Sequence, residues 1–262
     1  MIYDKCMKLG IKIGLKKSKK YIGSCCGNSF VILDCRGEKL DKKAKADFAV
    51  ENINKYGVDS ALFLCKSNCM NAFMEIYEKD GSESDSCGNG TILIAYLLDL
   101  NDGKIEMKDN AAMVKGDSER QSISMSVKFS EIRKTNGDKD RLFVRVGEPH
   151  MIYLVDDLEK FDLVGTGEKL QKEYPGGVNV DAIQKVSDSC YLIKTYERGV
   201  FAETDSCGTG SMSAYLAISY FCGKVYEEPI EFRSSGGSHW VSRDGNMLKL
   251  ETLKKFCKIK AV

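Results

Sequence analysis

The sequence lacks a long apolar segment and carries almost no net charge. No apolar run approaches the roughly 20 residues that a membrane-spanning helix requires, and the amino-terminal segment MIYDKCMKLGIKIGLKK lacks the continuous apolar core of a signal peptide. The formal net charge of the 262 residues is +1, so nothing indicates binding to nucleic acid or to a membrane surface. We therefore expect an ordinary globular protein of the cytoplasm.

Histidine is scarce and cysteine is abundant, but neither a metal site nor a disulfide framework is indicated. There are two histidines, His150 and His239, and the eleven cysteines include no paired C-x2-C motifs of the kind that structural zinc sites use. Disulfide frameworks are typical of short secreted domains with an even number of cysteines. We predict no bound metal and interpret most of the cysteines as small buried apolar side chains.

One short motif occurs twice. DSCGNG occupies residues 85–90 and DSCGTG occupies residues 205–210. A nearly apolar stretch follows each copy and ends at a glycine, Gly103 or Gly223, at the same spacing from the cysteine. Such a stretch predicts a helix that is buried on every side, with the glycine as a left-handed cap at its end. The chain therefore contains two copies of one unit.

Strands and a surface helix are predicted around these motifs. Segments rich in strand-forming residues, which are Gly27–Asp34, Phe73–Tyr77, Gly147–Asp156 and Cys190–Tyr196, precede the two central helices. A surface helix is predicted over Lys42–Tyr56, with Asp41 as its N-cap and Gly57 just past its end. The alternation of Gly10–Gly14 indicates an added edge strand in the amino-terminal extension.

The polar segment Arg133–Lys139 is the best candidate for a linker between the two copies. We accordingly predict an α/β (α+β) fold of two pseudo-symmetric domains, residues 1–132 and 133–262. Each domain would be a strand-rich sheet wrapped around one central buried helix.

The repeated turn has the chemistry of an anion site with a reactive sulfur. Bare amides at a helix N-terminus, together with the helix dipole, favour an anion such as a carboxylate. The same field is expected to lower the pKa of the cysteine thiol and to raise its thiolate fraction. Two such turns across a cleft would bind one carboxylate between two sulfurs. One sulfur would remove a proton from the bound carbon and the other would return one to the opposite face, which inverts the stereocentre.

These motifs resemble those of the diaminopimelate epimerase family. The resemblance covers nearly the whole chain after the amino-terminal extension and comprises GNSFVILD (27–34), DGSESDSCGNG (80–90), GEPHMIYLVDD (147–157), GGVNVDAIQ (176–184), YERGVFAETDSCGTG (196–210) and SSGGS (234–238). It implies an amino-acid racemase or epimerase that uses a thiolate–thiol pair between two pseudo-symmetric domains and needs neither pyridoxal phosphate nor any other cofactor. A homodimer is compatible with it.

The resemblance also implies roles for individual residues. Cys87 and Cys207 would be the two acid/base groups, with His150 supporting Cys87 and Glu197 supporting Cys207. The amides that would hold the reacting carboxylate are those of Gly88, Asn89, Gly208 and Thr209. The side chains that would line the substrate cleft are Asn28, Asn179 and Arg198. His239 matches no position of the family and is interpreted as structural.

Two substitutions and one insertion depart from the family pattern. Glu78 and Glu148 stand where the family has asparagines that help to hold the distal end of diaminopimelate, and two acids there should repel its carboxylate. They would either pair with Arg198 or bind a cationic side chain. One extra residue between Arg198 and Cys207 brings in Phe201, where the family has small residues, and is expected to shorten the pocket.

These departures favour a racemase of an amino acid with a cationic side chain. Histidine is the first choice because it is short, and lysine, ornithine and arginine stay open. Diaminopimelate epimerase is the alternative. The motif fits proline and hydroxyproline racemases less well, because Asn89 matches the epimerase pattern. A non-catalytic thiol sensor, in which Cys87 and Cys207 form a regulatory disulfide, is a hypothesis from another class.

Overall fold

The computed structural model describes residues 18–108, 110–126, 132–134 and 141–262. The edge strand expected at Gly10–Gly14 lies outside these residues, as does the predicted linker from residue 135 to residue 139. The first two residues of that linker, Arg133 and Lys134, belong to a short strand. Within the described residues, no helix combines the length and the apolar character that crossing a bilayer requires.

Strands and helices alternate along the chain. Its first part contains β1 (Lys19–Cys25), β2 (Asn28–Asp34), α1 (Lys42–Tyr56), β3 (Ser60–Cys65), β4 (Ala72–Tyr77), β5 (Glu83–Ser84), α2 (Gly88–Leu97), β6 (Asp102–Glu106), β7 (Ala111–Gly116), β8 (Arg120–Ser126) and β9 (Ile132–Lys134). Its second part contains β10 (Arg141–Val146), β11 (Glu148–Leu154), α3 (Leu163–Glu173), β12 (Asn179–Ser187), β13 (Cys190–Glu197), β14 (Ala202–Thr204), α4 (Gly208–Cys222), β15 (Ile230–Ser234), β16 (Gly237–Asp244), β17 (Met247–Leu253), a 3₁₀ turn (Lys254–Phe256) and β18 (Cys257–Ala261). The four strands predicted from the sequence correspond to β2, β4, β11 and β13.

The strand pairing repeats between the two parts of the chain. In the first part, β2 pairs with β3 and β4 pairs with β6 in parallel, and the equivalent parallel pairs in the second part are β11–β12 and β13–β15. The parts also share strands, because β17 pairs with β8 and β18 pairs with β1. A division of the chain at residue 132 stays a prediction.

The surface helix α1 has the predicted bounds and caps. The Asp41 side chain accepts a hydrogen bond from the amide of Ala44, and Gly57 adopts a left-handed φ of 64° beyond the last turn. Ala49 and Ile53 are buried against the sheet. Capping and the spacing of apolar residues were therefore sufficient to locate this helix.

The two central helices differ at their ends. As predicted, α4 ends at Gly223, which has a φ of 64°. For α2 the prediction was wrong, because the helix ends at Leu97 and Gly103 lies in β6. Asp99 takes a left-handed φ of 49° immediately after the helix, and aspartate is one of the few residues other than glycine that tolerate this conformation. The aspartate thus terminates the helix before the glycine is reached.

Each central helix is enclosed by strands. α2 packs against β1, β7, β8 and β18, and α4 packs against β10, β11, β12, β16 and β17. Residues 88–95 and 208–218 are buried. The other helices cover the outer faces, with α1 on β2 and β3 and α3 on β12 and β13. This arrangement explains why α2 and α4 are apolar on nearly all sides.

The N-termini of α2 and α4 touch each other through two glycines. A Cβ atom on Gly208 would lie 3.0 Å from Cα of Gly88, and a Cβ on Gly88 would lie 3.1 Å from Cα of Gly208. A methyl group at either position would press on the facing backbone and would lie 2.9 Å from Cδ2 of Leu250, so both positions favour glycine. The contact fixes the two repeated turns side by side.

This contact predicts a large effect of a single methyl group. Gly208→Ala should lower the free energy of unfolding by about 1–3 kcal/mol, because the facing backbone cannot yield as a flexible side chain would. Gly37→Ala is the matched control: a Cβ there meets nothing within 4 Å, and its stability should stay within about 0.5 kcal/mol of wild type. Urea denaturation measures both. Equal stability of the two variants would contradict the tight contact.

Candidate active site

Cys87 and Cys207 are the N-caps of α2 and α4. Both have an extended backbone, with φ of −144° and −130°. The Sγ atom of Cys87 accepts a hydrogen bond of 3.3 Å from the amide of Gly90, and that of Cys207 accepts one of 3.4 Å from Gly210. The repeated sequence therefore builds the same sulfur-capped helix start twice, as the motif predicted.

The two sulfurs share one small cavity of about 30 Å³. Its lining residues are Asn28, Ser60, Ile76, Glu78, Ser84, Ser86, Cys87, Gly88, Glu148, Asn179, Glu197, Arg198, Cys207, Gly208 and Thr209. Of the site residues predicted from the sequence, only His150 and Asn89 lie behind this lining. The volume suits one or two water molecules, so an amino acid can enter only if the cavity widens.

The surroundings raise the pKa of both cysteine thiols. Withdrawal from water is the main cause for Cys87 and Cys207, and the nearby carboxyl group of Glu197 adds to it. The first-turn amides of Gly90 and Gly210 act in the opposite direction but are outweighed. The expectation of lowered thiol pKa values was thus wrong, because in a closed cavity the cost of burying a thiolate exceeds the stabilisation by the helix terminus. Either sulfur becomes a base only when it loses its proton inside the site.

Two carboxyl groups of the cavity have pKa values near neutrality. Burial raises the pKa of Glu78 to about 7, although its oxygens accept hydrogen bonds from Ser84 at 2.7 Å and Ser60 at 2.8 Å. Burial raises the pKa of Glu197 to about 8, and this side chain accepts a 2.6 Å hydrogen bond from Thr204. Both groups can therefore change protonation state near neutral pH.

Glu148 is committed to structural contacts. One of its oxygens forms an ion pair with Arg198, and the other accepts hydrogen bonds from the amides of Asp85 at 2.8 Å and Ser86 at 3.3 Å. The backbone amide of Arg198 is in turn held by Asn179 at 2.9 Å. Glu78 and Glu148 were each expected either to pair with Arg198 or to bind a cationic side chain, and Glu148 pairs with Arg198.

Asn28 lines the cavity, whereas Phe201 of the inserted loop does not. The Asn28 amide donates to Asp59 at 3.1 Å, and its oxygen lies 3.8 Å from Sγ of Cys87. Phe201 does not line the cavity: it has a left-handed φ of 59°, and its exposed fraction is 57%. The expectation that Phe201 shortens the pocket was therefore wrong, because this backbone turn directs the ring into solvent.

His150 is linked to Cys207 and not to Cys87. Its Nδ1 atom is 2.7 Å from the Asp181 carboxylate, and its Nε2 atom is 3.0 Å from the Thr209 hydroxyl. That hydroxyl lies 3.4 Å from Sγ of Cys207. His150 was expected to support Cys87, but its contacts lead to Cys207. The strand β11 belongs to the part of the chain that carries α4, so its inward-facing histidine reaches the turn of that helix.

His239 contacts the other turn, and the sequence motifs missed it. Its Nε2 atom is 2.8 Å from Oδ1 of Asn89, the residue that follows Cys87-Gly88. The only signal in the sequence was its place on the inward-facing side of a strand, directly after SSGGS. In the described residues, no group of three or more His, Cys, Asp or Glu side chains is arranged to bind a metal ion.

Comparison with known proteins agrees with this geometry. A family model described as diaminopimelate epimerase matches residues 142–251. The diaminopimelate epimerase of Aquifex aeolicus is 31% identical over 238 residues, which cover 80% of this chain and 84% of that protein. This chain belongs to the diaminopimelate epimerase family. It is thus an isomerase, and the resemblance of its motifs to this family is confirmed.

Another relative and two solved structures extend the comparison. The diaminopimelate epimerase of Methanocella arvoryzae is 29% identical over 238 residues, covering 80% of this chain and 84% of the relative. A phenazine biosynthesis protein of the PhzF family from Bacillus anthracis has a TM-score of 0.69 at 16% identity, covering 95% of this chain and 99% of its own. A hydroxyproline epimerase from Agrobacterium vitis has a TM-score of 0.65 at 14% identity, with coverages of 95% and 92%. The structures establish a shared fold and confirm the predicted α/β class.

The raised pKa of Glu78 predicts a stability that depends on pH. Its ordinary value of 4.5 rises to about 7 in the folded protein, so the folded state retains a proton that the unfolded chain releases above pH 4.5. This contribution to stability is complete below pH 4.5 and is lost as the pH rises through 7. Glu78→Gln removes this titrating group. The free energy of unfolding of the variant, relative to that of wild type, should therefore be higher at pH 8.5 than at pH 5.5.

Urea denaturation at these two pH values measures the effect, and Glu51→Gln is the control because Glu51 is exposed on α1. The control should parallel wild type at both pH values. A constant difference between wild type and Glu78→Gln would contradict the raised pKa.

Proposed function

We propose that this protein is an amino-acid racemase that inverts the α-carbon by proton transfer between Cys87 and Cys207 without pyridoxal phosphate. Its substrate is an amino acid with a cationic side chain, and histidine is favoured. The observation that carries this proposal is the surplus of acid in the cavity. Glu78, Glu148 and Glu197 line it together with a single cation among the lining residues, Arg198, which Glu148 already neutralises.

The two helix N-termini supply the carboxylate site of the mechanism. The amides of Gly88 and Asn89 on one side, and of Gly208 and Thr209 on the other, would bind the reacting carboxylate and stabilise the charge that develops on it when the α-proton leaves. The α-carbon would then lie between the two sulfurs. One sulfur takes its proton and the opposite thiol delivers another, so protons balance over the inversion.

A thiol must first become a thiolate, and the charges of the cavity suggest how. Glu197 lines the same cavity and has a pKa of about 8; we assign its ionised form, which the positive charge of a bound substrate favours, as the acceptor of the thiol proton. The α-ammonium group and the cationic side chain of the substrate bring positive charge to the cavity, and positive charge lowers the pKa of a nearby thiol. Substrate binding would thus generate the base that the empty site does not hold.

Glu78 is the residue that we assign to substrate selection. Its hydrogen-bond donors are two serine hydroxyls, whereas Glu148 is bound to Arg198. The unperturbed pKa of a histidine side chain is about 6.5, close to the value of about 7 for Glu78. An imidazole and this carboxyl group can therefore share one proton at neutral pH. Histidine is also short, which suits a small cavity.

Diaminopimelate epimerase is the alternative function. The relatives described above carry that name, and the Arg198 guanidinium at the cavity wall is a group that could bind a distal carboxylate. This alternative requires Arg198 to exchange its ion pair with Glu148 for the substrate, and it leaves Glu78 facing the distal end of diaminopimelate. The charge of the cavity therefore favours the cationic substrate.

The deciding experiment measures loss of the α-proton signal by NMR in heavy water. Reduced protein is incubated with L-histidine, L-lysine, L-arginine, L-ornithine or diaminopimelate. Exchange with histidine is the expected result. Exchange with diaminopimelate alone would assign the alternative reaction, and no exchange with any of the five would refute the proposal.

Two matched variants test the role of Glu78. Glu78→Asn removes the unpaired acid and should lower kcat/KM for histidine about 100-fold, as expected for a lost charge-assisted contact in a closed site. Glu148→Asn makes the same chemical change at a residue already neutralised by Arg198, and it should not lower histidine turnover selectively relative to diaminopimelate. Full histidine activity in Glu78→Asn would overturn the assignment.

A further inference from the structure

We propose that His239 is a positioning residue for the reaction: through Asn89 it holds the carboxylate-binding first turn of α2. The proposal rests on the proposed function insofar as that turn binds the substrate carboxylate. The imidazole has an exposed fraction of 1%, and both of its nitrogens have partners. Nε2 is 2.8 Å from Oδ1 of Asn89 on α2, and Nδ1 is 3.0 Å from the hydroxyl of Ser211 on α4. One side chain of β16 thereby joins the first turns of both central helices.

The Asn89 side chain is held at both of its polar atoms. Its Nδ2 atom donates to the Ser206 hydroxyl at 2.9 Å, and that hydroxyl donates to the backbone oxygen of Cys26 at 2.7 Å. Because Nδ2 is the donor to Ser206, Oδ1 must be the acceptor from His239, whose proton is therefore on Nε2. Asn89 is completely buried. The bonds leave its amide group no freedom to rotate, so the backbone of the turn is fixed with it.

His239 and His150 perform equivalent tasks in the two turns. Asn89 and Thr209 both follow a Cys-Gly pair, and each is held by Nε2 of a buried histidine, at 2.8 Å and 3.0 Å respectively. The histidines come from different strands, β16 and β11. The chain has no other histidine, so its whole complement of this residue serves the two carboxylate-binding turns.

Fixing the turn is important because the two amides that follow Cys87, those of Gly88 and Asn89, must point at one position. A misplacement of about 1 Å in a positioned group costs roughly 100-fold in rate. Without the His239 bond, Oδ1 of Asn89 would be a buried acceptor lacking a donor, and the turn would shift to satisfy it. The loss should appear mainly in kcat, since developing charge is bound more strongly than the ground state.

The test combines His239→Leu with a double-mutant cycle. His239→Leu should lower kcat for α-proton exchange about 100-fold, with the best wild-type substrate among histidine, lysine, arginine, ornithine and diaminopimelate as the probe. His239→Gln, whose side-chain amide can donate to Asn89, should recover most of this loss. In an Asn89→Ala background, His239→Leu should cost less than about threefold further. Equal losses in both backgrounds would show a merely structural role and overturn the proposal.

Amide hydrogen exchange supplies a readout that needs no substrate. In His239→Leu, protection should fall in the peptide covering residues 85–97. The fall should be smaller in the peptide covering residues 205–218, which loses the bond to Ser211 but in which His150 still holds Thr209. A wild-type protein that acts on none of the five amino acids would refute the proposed function, and the exchange data would still decide whether His239 fixes the turn. Unchanged protection and unchanged turnover in His239→Leu would refute the positioning role alone.

Discussion

The direct contact between two helix N-termini governs the rest of the structure. Helix ends of the same polarity repel each other electrostatically, so α2 and α4 meet head to head only because strands enclose both of them and because Gly88 and Gly208 present bare backbone. The close approach concentrates unsatisfied amides at one point. An anion bound there would relieve the repulsion, which is the physical basis for the carboxylate site proposed above.

The electrostatics of the cavity follow from the same closure. Its walls withdraw the lining groups from bulk water, so both thiols and two of the carboxyl groups hold their protons more tightly than they would in solvent. Glu78 and Glu197 accordingly have pKa values of about 7 and about 8. The cationic substrate proposed above would change this balance, because each positive charge it carries would stabilise a carboxylate or a thiolate. In the proposed mechanism, substrate binding and activation of the base would therefore occur together.

Local sequence signals predicted where helices begin and how they are capped. The contacts of individual side chains in the site depended on packing between distant parts of the chain. The repeat at residues 85–90 and 205–210 predicted both sulfur-capped helices, and ordinary capping residues located α1 with its bounds. α2 ends earlier than predicted because Asp99 adopts the left-handed conformation that was expected at Gly103. The sequence could not predict which turn His150 serves, that Phe201 points outward, or that His239 meets Asn89, because each depends on how distant strands are placed. Nor could a helix-terminus rule predict the thiol pKa values, since the opposing cost comes from closure of the cavity.

The exchange of strands between the two parts of the chain has a consequence during synthesis. In the described residues, the sheet edges at β1 and β8 are completed by β18 and β17, which follow both central helices in the chain. The part that carries Cys87 therefore cannot finish folding on its own, and until then it exposes two unpaired edges of the kind that invite aggregation. A nascent chain therefore depends on residues 247–261 to cover the edges of β1 and β8, which are synthesised much earlier.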